Sequence, residues 1–390
     1  MEDILIVLFW SAIFLILLTY FIYPVLVIFL PISKKEPEEF TTKDELPEVT
    51  VIMAAYNEES VIEEKLRSVF NTNYPKHKIE VLVGSDKSTD RTDEIVLNLS
   101  REFPNLQLVK FENRTGKSGI INILVAHCKS PIVVATDANI VFNEATIFNL
   151  VKRFKEPTID LVGGNIVYQA KKESGIAVQE FVYLNWENRI KQGESKRWWT
   201  VMGVEGGCYA IRKKAFTQIP PLTFMEDFYI TMAVIAKGGG VWFEPEAQCY
   251  EDVSTEISEE FKRKIRISIG NWQNLNRFSG LLFQRFWPIG VALLCHKVLR
   301  WFTPFLAFFS FGAAALLAAS GNIYSAFTML VIVVLLLLPL DYVLMKRNMH
   351  TGILRFINHF VMMNIALLAG FIEYSKGIKS NVWQPTKRNQ

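Results

Sequence analysis

The 390-residue sequence has only four cysteines, Cys128, Cys208, Cys249 and Cys295, and no two of them form a C-x-x-C pair. Its five histidines include no H-x-x-x-H spacing. A disulfide framework and a zinc hydrolase are therefore not implied. Neither of the common phosphate-cradling motifs, G-x-G-x-x-G and G-x-x-x-x-G-K-[ST], occurs; the nearest element, NRTGKSG at 113–119, is too short for the second. Its plain reading is a solvated turn, and spacing alone does not favour the alternative of a cationic loop that sets Arg114 and Lys117 near an anion. Internal repeats and low-complexity tracts are lacking as well. Charge is missing from one long stretch, residues 4–30, which contain no Asp, Glu, Lys or Arg.

That stretch is long enough to cross a hydrocarbon core about 30 Å thick. The acidic start MED, the length of the apolar run and the lack of a small-residue cleavage site argue against a cleaved signal peptide. The whole chain is 50% hydrophobic with net charge +3 and mean hydropathy +0.20, a balance that fits a mixed membrane and soluble protein. The expected organisation is a membrane helix within 1–33, an α/β domain at 48–256 and an amphipathic interface segment at 257–300, then a membrane region at 301–373 and a basic tail at 374–390. Spans are expected near 301–319 and 323–345, while 353–372, which carries Asn358, His359 and Asn364, is expected to be interfacial or re-entrant. Lys34 and Lys35 after the first apolar stretch, Lys346, Arg347 and Arg355 after the third, and the basic tail together place the domain and the tail in the cytoplasm.

Within the domain, EVTVIMAAYNEESVIEEKLRSVF reads as a buried strand, a polar turn and a helix, and EVLVGSDKSTDRTDEIVLNL repeats the pattern. Consecutive units of this kind imply parallel strands with both loops at the carboxyl edge, where α/β sheets bind ligands. The second loop carries Asp86, Ser88 and Asp90. A third strand, PIVVATDANIVF, ends in Asp137 and Asn139, whose i, i+2 spacing puts both side chains on one face. Such a pair suits a metal ion or an Asx turn, and the spacing alone favours the turn. Glu226 and Asp227 open a helical pattern after Pro220 and Pro221, where acidic residues also complement a helix dipole.

Taken in order, AAYNEE, SDKSTDRT, GKSGIIN, TDAN, GGCYAIR, MED and RKIRISIGNWQ resemble a membrane-bound processive family-2 glycosyltransferase, a group that includes hyaluronan, cellulose and poly-N-acetylglucosamine synthases. The resemblance implies a GT-A-type fold, a mostly parallel α/β sheet with helices on both faces, set between membrane helices. It implies that Ala54, Tyr56, Asn57, Glu58 and Asp86 hold the nucleotide, with Lys117, Arg263 and Arg266 near its phosphates. Asp137 and Asn139 take the place of the family's D-x-D at a divalent cation, Mg2+ or Mn2+, although Asn139 is neutral. Asp227 takes the place of the catalytic base with Glu226 beside it, and Met225 replaces the usual threonine. Acceptor contacts are implied at Gly206, Gly207, Cys208, Trp272 and Trp383. The QxxRW motif lacks its glutamine and tryptophan, so Trp272, Trp198 or Trp199 is expected to cap the acceptor.

The expected activity is inverting, metal-dependent transfer from a UDP-sugar to a growing β-linked polysaccharide, with translocation through the spans of an inner membrane. Membrane lipids, and accessory polysaccharide-export subunits, are the expected partners, and nucleic acid is not. A closely related alternative is a single transfer to a membrane lipid such as ceramide or a polyprenyl phosphate. A non-catalytic nucleotide-binding subunit is less favoured, because Asp86, Asp137, Glu226 and Asp227 are all present.

Overall fold

VTVIMAA, with branched or small apolar side chains at every position, forms β1 (Val49–Ala55), a strand buried on both faces. The computed structural model describes residues 1–32, 35–169, 177–252, 257–346 and 352–378. Seven more strands join β1: β2 (Ile79–Ser85), β3 (Leu106–Lys110), β4 (Ile132–Thr136), β5 (Val141–Phe142), β6 (Ile159–Gln169), β7 (Cys208–Arg212) and β8 (Gly240–Asp252). They make one sheet in the order β3-β2-β1-β4-β7-β6-β8-β5. Strands β1 to β4 are mutually parallel, so the loops after β1, β2 and β4 leave from one edge. β7 runs antiparallel between β4 and β6, and β5 antiparallel to β8.

The helices are α1 (Glu2–Leu17), α2 (Tyr23–Phe29), α3 (Ile62–Phe70), α4 (Thr92–Glu102), α5 (Lys117–His127), α6 (Thr146–Lys152), α7 (Ala177–Trp198), α8 (Glu226–Ala236), α9 (Ile257–Phe278), α10 (Leu281–Gln284), α11 (Leu299–Leu316), α12 (Asn322–Lys346) and α13 (Gly352–Ser375). The two-residue period of β1 divides the core. Val49, Val51 and Met53 face a cluster with Ile62, Leu66 and Val69 of α3, Val96 of α4 and Ile147 and Leu150 of α6. Ile52 and Ala54 face another, with Ile120 and Leu124 of α5, Phe228 and Ile230 of α8, and Trp272 and Trp301. Helices thus cover both faces.

Among the described residues, four helical stretches are long and apolar enough to cross a membrane: Glu2–Phe29, Phe286–Leu316, Asn322–Asp341 and Gly352–Ser375. The second begins well before residue 301, where the sequence reading starts its span. His296, Lys297 and Arg300 make the added turns look interfacial, but Glu187 of α7 meets all three, so their charges are compensated from the domain side. The segment expected to be interfacial, 353–372, lies inside the 24-residue helix α13. α13 packs along α9 so closely that a Cβ on Gly370 would fall 2.3 Å from the Ser268 side chain.

Candidate active site

The ends of β1 and β2 are locked to each other. Asn57, in the left-handed region at φ 54°, accepts a hydrogen bond from the Thr89 backbone N–H through Oδ1 at 2.8 Å. Its own N–H donates to Ser88 Oγ at 3.2 Å, and the Glu58 N–H donates to Thr92 Oγ1 at 2.8 Å. Asp86 is buried and accepts from the Thr115 N–H at 2.5 Å, the Gly116 N–H at 3.1 Å and Arg114 Nε at 3.0 Å. Gly116 has φ 77°, which lets NRTGKSG turn sharply into α5. The Arg114 guanidinium lies 3.3 Å over the Tyr56 ring. Asp86, Tyr56, Asn57, Glu58 and Arg114 thus form one assembled end of the site; Ala54 contributes backbone beneath it, in the core.

Lys117, the first residue of α5, bridges two elements. Its Nζ lies 2.7 Å from Asp137 Oδ1 and 2.6 Å from Glu226 Oε1. α5 is fixed for this by Ser118 Oγ donating to the Thr223 carbonyl at 3.1 Å and Asn122 Nδ2 donating to the Ile219 carbonyl at 2.9 Å. Burial lowers the proton affinity of the Lys117 ammonium, but the Asp137 and Glu226 carboxylates more than offset this and hold its pKa well above the ordinary lysine value.

Asp227 is buried at the start of α8, whose preceding residue Met225 sits at φ 52°. Positive φ is uncommon for a side chain of that size, and such backbone is held in place by its surroundings. Here α9 supplies them: Gln273 accepts from the Phe224 N–H at 2.9 Å and donates to the Leu222 carbonyl at 2.8 Å, and Asn274 donates to the Met225 carbonyl at 3.3 Å. Burial, and next the Glu226 charge, push the Asp227 carboxyl up to about 7, against the pull of Lys117. Gly206 lies against this carboxylate: a Cβ there would sit 3.1 Å from Asp227 Oδ2.

Asn139 Nδ2 donates to Glu251 Oε1 of β8 at 2.9 Å. Burial raises the pKa of Glu251, the Arg263 guanidinium lowers it and Asp137 raises it, so Asp137, Asn139, Glu251 and Arg263 form one electrostatic group. Glu251 was not anticipated from the sequence. A divalent cation of the kind the resemblance implies finds suitable donors here. The Asp137 carboxylate and the Asn139 amide oxygen are hard oxygen ligands, and the Lys117 ammonium already rests against Asp137 as a cation does. Among the described residues no three His, Cys, Asp or Glu side chains converge as a self-sufficient metal site. An ion here would draw its remaining ligands from phosphate and water, as Mg2+ usually does.

Other expected residues lie elsewhere. Trp272 is buried among Phe302, Phe305 and Phe371, with ring centroids 4.8–6.3 Å away, and so packs α9 against α11 and α13 rather than facing a sugar. Cys208 is buried in β7, where a Cβ on Gly164 would meet its Sγ at 2.3 Å. Gly207 backs it, with no room beyond Ile140 at 2.7 Å and its carbonyl held by Thr136 Oγ1 at 2.9 Å. Arg266 is exposed on α9 and has no hydrogen bond or ion pair to the cluster among the described residues; Arg263, one turn earlier, is the arginine that acts on it. Trp198 packs edge-on against Trp287 at 6.2 Å, and Trp199 lies against the core. Trp383 and the rest of the tail from residue 379 lie outside the described residues.

Behind Asp227 a buried line of charges reaches the membrane helices. Glu205 pairs with Lys191 of α7, and the ammonium holds its carboxyl below the usual range. One turn earlier on α7, Glu187 contacts His296 Nε2 at 2.9 Å, Lys297 Nζ at 2.5 Å and Arg300 at 2.7 Å. Glu194 accepts from Tyr23 Oη at 2.6 Å and meets His296 Nδ1 at 2.7 Å.

One mixed α/β sheet thus carries the carboxylates and the lysine at one edge and is flanked by apolar helices. The model of glycosyl transferase family 2 matches residues 50–219. The chain is 27% identical over 250 residues to a probable glycosyltransferase, YdaM, of Bacillus subtilis, covering 62% of this chain and 59% of that protein. It is 24% identical over 249 residues to the poly-β-1,6-N-acetyl-D-glucosamine synthase of Staphylococcus aureus, covering 62% and 60%. It thus spans about three fifths of the length of these curated relatives. Among solved structures, the mannosyltransferase PcManGT of Pyrobaculum calidifontis, in complex with GDP-Man and Mn2+, superposes with TM-score 0.71 over 96% of this chain and 98% of that one, at 24% identity.

Proposed function

We propose that the protein transfers a sugar, with inversion, from a nucleoside diphosphate sugar of the UDP class to an acceptor hydroxyl delivered at the membrane surface, with the catalytic domain on the cytoplasmic side. The observation that carries this reading is the position of Asp227, a buried carboxylate with a pKa of about 7, beside the Lys117, Asp137 and Glu226 cluster. A base with that pKa is half-ionised near neutrality, where general-base catalysis is most effective.

In the proposed reaction Asp227 takes the acceptor proton on Oδ2 while the acceptor oxygen bonds to the anomeric carbon. The bond from that carbon to the diphosphate oxygen breaks, and the electron pair leaves with the nucleoside diphosphate. One displacement inverts the carbon, and no covalent enzyme intermediate forms. Lys117 steadies the departing diphosphate, and Glu226 holds the Lys117 ammonium in place. Asp137 and Asn139 would hold a divalent cation, which would supply charge neutralisation for the diphosphate. Tyr56, Asn57 and Asp86, with Arg114 over the Tyr56 ring, enclose the base and ribose.

Of the two acceptor classes, a single transfer to a membrane lipid is favoured by the outer helices. Apart from Asp341 at its end, Asn322–Asp341 buries no residue within the protein, and Gly352–Ser375 buries only Ala366 and Gly370 beside its contact with α9, so most of both lengths faces outward instead of enclosing a polar conduit. Processive polysaccharide synthesis with translocation is the second reading, supported by the similarity to the Staphylococcus aureus synthase. Membranes incubated with a panel of radiolabelled nucleotide sugars separate the two. Label extracted into chloroform and methanol, with one nucleotide released per lipid, supports the first. Label retained in a size-dispersed polymer overturns it for the second, and release of no nucleotide from any sugar overturns both.

A further inference from the structure

Residue 139 of the D-x-D position is a neutral asparagine in this chain, and the structure supplies a reason. β5 and β8 run antiparallel, with Val141 opposite Tyr250 and Phe142 opposite Cys249. This pairing brings the end of β8 alongside the turn that follows β4, so Glu251 stands next to Asn139 and accepts its Nδ2–H at 2.9 Å. With Nδ2 committed to Glu251, the Asn139 Oδ1 is directed elsewhere and has no hydrogen-bond donor among the described residues. Asp137 opens the same turn, its carbonyl accepting from the Ile140 N–H at 3.2 Å. An aspartate at 139 would set a second negative charge against Glu251 with no proton between them; an asparagine converts that repulsion into a hydrogen bond.

Resting on the metal-dependent reading above, we infer that the second carboxylate of the cation site has moved from position 139 to Glu251, which binds the divalent cation with Asp137 while Asn139 orients it. Two carboxylates from different strands, one amide oxygen, the donor's phosphate oxygens and water make a complete oxygen shell for Mg2+ or Mn2+. Arg263 pairs with Glu260 at 2.8 Å and acts electrostatically on Glu251, which ties the start of α9 to the same centre.

The test measures Mn2+ binding by the full-length protein in detergent, using the electron paramagnetic resonance of free Mn2+ with and without UDP. Glu251→Gln is expected to weaken Mn2+ binding in the presence of UDP by about tenfold or more, as loss of a metal contact does. UDP affinity in EDTA is expected to stay unchanged. Asn139→Asp alone is expected to lower the melting temperature in EDTA and to regain it with Mn2+, because the added charge opposes Glu251 until a cation sits between them. The exchange variant Asn139→Asp/Glu251→Gln is expected to bind Mn2+ within about threefold of the natural protein, with both carboxylates again on the site. Wild-type Mn2+ affinity in a folded Glu251→Gln protein overturns the inference, as does a folded exchange variant that binds no Mn2+. If the natural protein and Asp137→Ala are alike in binding no Mn2+ with UDP present, the metal-dependent reading itself falls, and the inference falls with it.

Discussion

The Lys117 ammonium lies 2.7 Å from the Asp137 carboxylate, and the same nitrogen reaches Glu226 at 2.6 Å. One cation thus joins the end of β4 to the start of α8, the two places from which a cation ligand and a base are proposed to act. Lys117→Met is expected to weaken UDP binding about tenfold, the loss of a charge-assisted contact to phosphate. Its folded-state pKa is raised, so the stability it contributes is fully present below the ordinary lysine value and fades only as pH rises through the folded value. The destabilisation by Lys117→Met should therefore persist across roughly pH 7 to 9, below the ordinary lysine value. Calorimetric titration with UDP and melting curves across that range check this.

Asp227 gives a prediction of opposite sign. Its carboxyl is raised to about 7, so the folded protein holds this proton more tightly than the unfolded chain does. Stability then falls as pH rises from the ordinary aspartate value towards about 7, and the ionised form carries the cost above it. Asp227→Asn should melt higher than the natural protein at alkaline pH and nearly the same under mildly acidic conditions. Transfer should drop by about a thousandfold while UDP binding is kept. Near-normal turnover in this variant would falsify the role of Asp227 as base.

Gly206→Ala tests how closely that carboxylate is held. The added methyl group would stand 3.1 Å from Asp227 Oδ2 and must displace it by a few tenths of an ångström. We expect kcat to fall about tenfold or more, since small misplacements of a catalytic group are costly. KM for the nucleotide sugar should stay the same. Steady-state kinetics separate the two; a change confined to KM would mean that the glycine serves donor binding.

Glu187→Ala probes the junction with the membrane helices. Its carboxylate compensates Lys297 and Arg300 and meets His296, and the side chain is 6% exposed. Removing it leaves buried cations without a partner, at a cost of about 3 kcal/mol. Thermal unfolding in detergent should shift down accordingly, and Glu187→Gln should recover only part of the loss.

Much of this was legible in the sequence, for a physical reason. Asp86 and Asp137 follow strands whose apolar runs and turn residues are local signals, and parallel strands bring such positions to one edge without further information. Asp227 was found because its motif is contiguous. Glu251 was not, because its relation to Asn139 depends on antiparallel pairing between segments 112 residues apart, and one-dimensional patterns do not encode such pairing. Arg263 and Arg266 were both expected at the phosphates; Arg263 pairs with Glu260 on α9, whereas Arg266 is exposed there. Trp272 was read as a sugar-stacking face, but the phenylalanines of α11 and α13 enclose it, a packing that no local window reveals.

His296, held between Glu187 and Glu194, fastens the soluble domain to the apolar helices through the middle of α7, while Tyr23 on the first of those helices grips Glu194 from the other side. In the proposed transfer to a membrane lipid, a domain pinned at that junction would hold Asp227 at a fixed height above the bilayer. An acceptor would then be selected by how far its reactive hydroxyl stands out from the membrane as well as by its chemistry.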